Sequence, residues 1–205
     1  HKTDDADVAG EVVSLSKIKD ALNSCAAIVV HQDRDVVNLL NMGIKEKIIK
    51  KITHGQVLYS EVSSSISKCS IGLRSDLVIG SYGFCLPHKG IKEVIGAMPE
   101  ILKKYPDAVY MPVCALYDCA ESKYYYDECV KLTKDLNITN HVKFINDFLP
   151  NDISLQYLQA CDIMCMVYKP TQESASGAIR FCLATYRPII TTDQPIFDEF
   201  KDFTY

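Results

Sequence analysis

Two periods alternate along this chain. Short apolar runs of strand length fall at 26–31 (Ala-Ala-Ile-Val-Val-His), 47–52, 76–82, 108–114, 142–145, 163–168 and 188–192. Between them, apolar positions recur every three or four residues, as one face of a helix requires. The clearest case is 91–104, where Ile91, Val94, Ile95, Met98, Ile101 and Leu102 share a face and Pro106 closes the run. Further helices are predicted at 15–24, 33–42, 122–136, 153–160 and 178–184. Asp33 is placed to cap one of them and Gly43 to stop it, and Asn151 or Asp152 can cap another. The Ser-rich run 60–75 has little periodicity and reads as a connector.

Strands alternating with helices predict an α/β fold with a Rossmann-like parallel sheet and helices on both faces. The connector divides the chain into 1–75 and 76–205. Ligands of such sheets bind beyond the carboxyl ends of the strands. Two loops hold that position. One is Gly83-Phe84-Cys85-Leu86-Pro87-His88-Lys89-Gly90, and the other runs from Thr171 to Arg180.

The second loop carries the densest chemistry. Its small residues Ser174, Ala175, Ser176, Gly177 and Ala178 let a ligand approach the backbone. The N–H groups of the following helical turn suit an anion such as phosphate. Glu173 stands at its mouth. A carboxylate beside an anion-binding turn points to a polyol that also carries phosphate, which a sugar nucleotide does. Taken alone, Glu173 reads better as a helix-start carboxylate, and Lys89 reads equally well as a solvent-exposed loop lysine.

Composition narrows the rest. The chain has 205 residues, 48% of them hydrophobic, and a net charge of −4, which gives no broad nucleic-acid footprint. Its nine cysteines are irregularly spaced, and Cys25, Cys114, Cys161, Cys165 and Cys182 lie in apolar runs, so buried free thiols in a reducing cytoplasm are expected. No zinc-type pair of Cys-x-x-Cys motifs is present and the five histidines suggest no ligand set, so no metal site is expected. The stretches are too short for a membrane span.

Several segments in order resemble the retaining, sugar-nucleotide-dependent glycosyltransferases built from two Rossmann-like domains, the GT-B architecture of the group 1 type. These are Ile28-Val29-Val30-His31 with Gly43-Ile44 and His54-Gly55, then Ile79-Gly80 through Gly83 with His88-Lys89-Gly90, then Cys161-Asp162. The last is Glu173-Ser-Ala-Ser-Gly-Ala-Ile-Arg, with Ala184 and Pro188-Ile189-Ile190 after it. The resemblance implies that 1–75 is the end of the N-terminal domain with its connector. It implies that 76–205 is the donor-binding C-terminal domain, cut short as an excised piece of a longer protein would be. It implies a UDP- or GDP-sugar as substrate, no tightly bound cofactor, and a glycan or lipid-linked acceptor, with peripheral membrane association left open.

By the same resemblance Glu173 and Lys89 are the catalytic candidates. Glu173 orients the donor sugar, and Lys89 with the backbone of Ser174 to Ala178 stabilises the leaving diphosphate. Gly83 and Arg180 join the donor site, and His54 is a cleft candidate. Two departures stand out. The family pattern has a second glutamate, which holds the ribose, where this chain has Phe181. It also often has Gly-Arg where this chain has Gly83-Phe84, which leaves Lys89 alone on the diphosphate unless Arg180 or Arg187 contributes.

The competing reading is a non-catalytic domain that binds a sugar nucleotide or a protein partner. A nicotinamide-dependent oxidoreductase is disfavoured by the lack of G-x-G-x-x-G, and a hydrolase by the lack of G-x-S-x-G.

Overall fold

The computed structural model describes residues 6–8, 11–13, 18–55, 58–171, 173 and 175–205. Its elements follow the alternation in the sequence. Strands β1 (Ala6–Val8) and β2 (Glu11–Val13) form an antiparallel pair. Then come α1 (Lys19–Asn23), β3 (Ile28–Val30), α2 (Asp33–Asn41), β4 (Ile49–Lys51) and α3 (Ser64–Ser70). The remainder is β5 (Val78–Phe84), α4 (Ile91–Lys104), β6 (Val109–Ala115), α5 (Ala120–Asp135), α6 (Asn151–Gln159), β7 (Ile163–Met166), α7 (Gly177–Leu183) and β8 (Ile189–Thr191). The chain separates into two compact units. One comprises His1–Gly55, Thr171–Gly177 and Pro195–Glu199, and the other Gln56–Pro170, Ala178–Gln194 and Phe200–Tyr205.

In the first unit, β3 and β4 pair in parallel, with Ile28 opposite Ile49 and Val30 opposite Lys51. Val30, Leu39, Ile44, Ile48 and Ile49 form its buried cluster, so the apolar face of α2 is spent on this pair of strands. Helix α2 is entered from Gln32, and Asp33 is its first residue rather than its cap. Asp33 instead pairs with Lys51 of β4 at 2.7 Å. Gly43, at φ +79°, ends the helix where the sequence placed its stop, in a conformation that L side chains disfavour.

The second unit is built on a four-stranded parallel sheet in the order β6-β5-β7-β8. Residues alternate between its faces. Ile79 joins Ile91, Ile95 and Met98 of α4 and Tyr125 and Cys129 of α5 in the main buried cluster. Tyr82 has the opposite parity and shares a hydrogen bond with Ser154 of α6. Helices therefore flank both faces, as the alternation predicts. Asp162, at the entry to β7, accepts from the Val78 N–H at 2.7 Å and from Lys68 Nζ at 2.6 Å. One carboxylate thus ties β5, β7 and α3 together.

Three local expectations change. The run 60–75 contains α3, because Ser63 accepts from the Ile66 N–H and Lys68 reaches Asp162. Tertiary bonds make a helix where periodicity gave none. The segment 142–145 is reduced to two isolated parallel bridges, Tyr110 to Val142 and Val113 to Ile145. The Ile145 N–H donates to the carbonyl of Pro112, which has no N–H of its own to return, so the ladder is interrupted there. Cys25 is exposed, because it lies in the turn after α1 and not in the strand.

All nine cysteines are free, including Cys114 and Cys119. Burial pushes the thiols of Cys85 and Cys165 up to about 11 and that of Cys129 to about 12. The same cause raises Cys114, Cys161 and Cys182. Such thiols are packing groups at neutral pH. Among the described residues, no helix is long and apolar enough to cross a membrane.

Candidate functional site

The loop from Gly83 to Gly90 is shaped by two glycines that the backbone requires. Gly83 has φ +133°, and a Cβ there would lie 3.7 Å from Cβ of Ala178 and 3.9 Å from Cε of Lys89. The carboxyl end of β5, the start of α7 and the Lys89 stem therefore converge within one unit. Gly90 has φ +73° and is the residue from which α4 starts. A Cβ on Gly90 would run into the carbonyl oxygen of Val167. This close approach locks the Lys89 turn onto the end of β7, and the Lys169 N–H adds a bond to the His88 carbonyl at 2.8 Å.

Lys89 is 9% exposed, and its Nζ sits 4.2 Å from the centroid of the buried Tyr168 ring. An aromatic face attracts a cation and helps to orient it. Tyr168 is itself fixed, because its carbonyl accepts from Thr192 Oγ1 at 2.7 Å. Lys169 beside it pairs with Glu93 at 2.6 Å. The result is a buried cation beside glycine and alanine backbone at the carboxyl end of a parallel sheet. Such an arrangement can receive an anion.

The other sequence-derived candidates fall as follows. Gly83, Lys89 and Ala178 are brought together. Arg180 lies on α7 with its guanidinium 4.9 Å from the Phe200 ring. Arg187 is turned away to structural work. It donates to the carbonyls of Val62 and Gln159, which straps the segment before α3 onto the sheet unit. Ser174 lies outside the described residues. Ser176 is buried, Ala175 is half-buried and Gly177 is exposed at the first position of α7.

Glu173 belongs to the first unit, where its N–H donates to Thr171 Oγ1 at 3.2 Å and its carbonyl accepts from Arg34 at 3.3 Å. His54 stacks on His31, with ring centroids 3.7 Å apart and planes 28° from parallel. His31 Nδ1 is 2.7 Å from the Ile52 carbonyl, which can only accept, so that nitrogen carries the proton. His31 also lines a cavity of about 300 Å³ in the first unit, together with Asp33, Arg34, Lys51, Asp198 and Glu199. Arg34 was not a sequence candidate, because its neighbours carry no motif and only the fold brings it to Glu173.

Phe181, in place of the expected second glutamate, has a packing role. It lies between Tyr82, stacked at 5.0 Å, and Tyr59, edge-on at 5.9 Å. Burial raises the Tyr82 hydroxyl above its ordinary range. Among the described residues, no group of three His, Cys, Asp or Glu is arranged to hold a metal ion.

No protein-family model matches the chain. No curated protein matches it by sequence. Solved structures do. HepE of Anabaena in complex with UDP-glucose superimposes with TM-score 0.71 at 19% identity, over 90% of this chain and 50% of that one. Sucrose-phosphate synthase from Thermosynechococcus elongatus gives 0.71 at 15% identity, over 88% and 44%. The C-terminal domain of a glycosyl transferase group 1 family protein from Francisella tularensis gives 0.59 at 21% identity, over 70% and 71%. The chain spans about half the length of HepE. What these likenesses establish is the fold: a parallel α/β sheet unit flanked by helices, of the kind found in the C-terminal half of two-domain glycosyltransferases.

Proposed function

We propose that this chain is the donor-binding part of a glycosyltransferase, which moves a sugar from a nucleoside-diphosphate donor to a glycan or lipid-linked acceptor with retention at the anomeric carbon. The observation that carries the proposal is the convergence of Gly83, Ala178 and the buried Lys89 at the carboxyl end of the sheet. The fold is shared with a protein solved with UDP-glucose. In the reaction, the bond from the anomeric carbon to the diphosphate breaks and negative charge grows on the leaving oxygen. Lys89 supports that charge, and glycine and alanine backbone allows the phosphates to come close. Its low exposure strengthens the attraction relative to a lysine in water.

The same reading gives Glu173 the hydroxyls of the donor sugar. It stands five residues before Ala178 in the chain, and its backbone carbonyl accepts from Arg34. No side-chain nucleophile is assigned, and no metal is invoked. A hexose on UDP or GDP, a polysaccharide-building role and a cytoplasmic site of action complete the proposal. So does the division into an N-terminal portion at 1–75 and a donor domain at 76–205.

One observation favours a second reading, a sugar-nucleotide-binding domain without catalysis. Phe181 is packed between Tyr59 and Tyr82 where the family resemblance calls for a carboxylate. Thermal stabilisation against UDP, GDP, ADP, their sugar conjugates and NAD tests both readings. A ligand that binds only the folded chain raises its melting temperature. Selective stabilisation by one nucleoside diphosphate supports donor binding, and turnover of that donor's sugar conjugate then excludes the non-catalytic reading. Stabilisation by NAD alone refutes the proposal.

A further inference from the structure

Helix α7 is seven residues long, too short to hold itself, so its place is set by what packs against it. One side is fixed by the sheet unit: Ile179 and Cys182 are buried, and Cys182 Sγ lies 3.8 Å from Met166 Sδ of β7. Its first turn carries Ala178, whose Cβ stands 3.7 Å from where a side chain on Gly83 would begin. A shift of the helix therefore changes the space between Ala178, Gly83 and the Lys89 stem.

The remaining support comes from residues 59–62, which precede α3. Phe181 of α7 meets the Tyr59 ring edge-on at 5.9 Å. Just past the helix, the Tyr186 hydroxyl donates to the Tyr59 carbonyl at 3.2 Å, and Arg187 donates to the Val62 carbonyl. Gln159, the last residue of α6, donates to the Ser60 carbonyl at 2.9 Å, and its own carbonyl accepts from Arg187 at 3.0 Å. Side chains thus hold three carbonyls of this segment. Among the described residues, no backbone–backbone hydrogen bond joins 59–62 to the rest of the unit. Residues 59–62 are a strap fastened by side chains alone.

Two features distinguish this fastening from ordinary packing. Tyr186 reaches the strap from φ +59°, a conformation that L side chains disfavour. The Arg187 side chain is 10% exposed, yet among the described residues its Nε–H has no acceptor and its contact with the Glu61 carboxylate is 4.0 Å long. A buried cation paired so loosely adds little to stability.

We infer that Arg187, with Tyr186, is a positioning residue for the anion site: by fastening 59–62 alongside α7 it holds Ala178 against Gly83 and Lys89. The inference rests on the anion-binding role proposed above for Lys89. It gives Arg187 a part in phosphate binding without contact with the phosphate. The coupling is reciprocal, so an anion at Lys89 in turn favours the fastened strap.

The chain contains no tryptophan, so Tyr59→Trp places a single reporter in the strap. It keeps an aromatic ring for Phe181 and the carbonyl that Tyr186 bonds. Inorganic pyrophosphate is the probe. Saturating pyrophosphate should lower acrylamide quenching of that indole, and Lys89→Met in the same background should remove the response. By calorimetry, Arg187→Ala should weaken pyrophosphate binding about tenfold or more, the range of a hydrogen bond from a charged donor. Arg187→Lys, which keeps donors for the two carbonyls, should recover most of that loss. Tyr186→Phe removes one hydroxyl from a half-exposed ring and should weaken binding about twofold to tenfold. Quenching that ignores pyrophosphate, in a Tyr59→Trp chain that binds it, overturns the coupling and leaves the donor reading standing. Lower melting temperatures with unchanged pyrophosphate affinity in Arg187→Ala and Tyr186→Phe also overturn it, since the role is then structural only. Should Arg187→Ala not fold, Tyr186→Phe and the reporter decide. If the wild type binds no pyrophosphate, the anion site and this inference fall together.

Discussion

Replacing Gly90 by Ala separates two costs that the structure superimposes at that position. The first is conformational. Gly90 has φ +73°, and an L residue in the left-handed region is disfavoured by about 1–2 kcal/mol. The second is steric, because the added Cβ meets the Val167 carbonyl, a backbone atom that cannot rotate away. Forcing that strand end aside costs about 1–3 kcal/mol more, as overpacking generally does. Gly72 supplies the control. Its φ is +65°, but a Cβ there meets nothing within 4 Å. Gly72→Ala should therefore lose about 1–2 kcal/mol and Gly90→Ala about 2–5 kcal/mol. In urea, with a slope of about 2 kcal/mol/M, those losses lower the midpoint by about 0.5–1 M and about 1–2.5 M. Far-UV circular dichroism and tyrosine fluorescence would follow both transitions. Equal midpoints for the two variants would refute the close approach of Gly90 to β7, and with it the account of how the Lys89 turn is held.

Lys89→Met keeps the aliphatic stem over Tyr168 and removes the charge, so pyrophosphate and nucleoside-diphosphate affinity should fall at least tenfold with little change in melting temperature; unchanged pyrophosphate affinity removes Lys89 from the anion site. Glu173→Ala should abolish sugar transfer while leaving the fold intact, as far-UV circular dichroism would check; full turnover would exclude it from the mechanism. The buried thiols give a pH dependence with a definite sign. Their folded values lie above the unfolded value of 9.0, at about 11 for Cys85 and Cys165 and about 12 for Cys129. Above pH 9 the unfolded state loses protons that the folded state keeps, so stability should be level below that pH and fall progressively from 9 towards 12. Iodoacetamide at neutral pH should accordingly label the exposed Cys25 and Cys69 first, and rapid labelling of Cys85 or Cys129 would contradict their burial.

The sequence by itself determined the elements whose evidence is local. Helix α4 runs Ile91–Lys104, the bounds read from its apolar period, because the residues that define that period are the ones the sheet buries. The Gly43 stop is legible for a similar reason: a backbone that needs positive φ announces itself with glycine. Gly83, Lys89 and Ala178 were legible as candidates through position, since loops after parallel strands collect at one end of the sheet.

Only the tertiary structure decided where a residue's partner comes from elsewhere in the chain. Helix α3 exists in a run without apolar phase because Asp162, 94 residues from Lys68, anchors it. Arg187 could have served the phosphates as far as its type shows, but the carbonyls of Val62 and Gln159 claim it. The missing strand at 142–145 depends on a proline in the neighbouring strand. Phe181 and the rings it packs against, Tyr59 and Tyr82, are scattered in sequence, and only the fold brings them together. Local pattern tells which face of an element is apolar, but it carries no address for what that face will meet, and the chemistry of this site lies in those meetings.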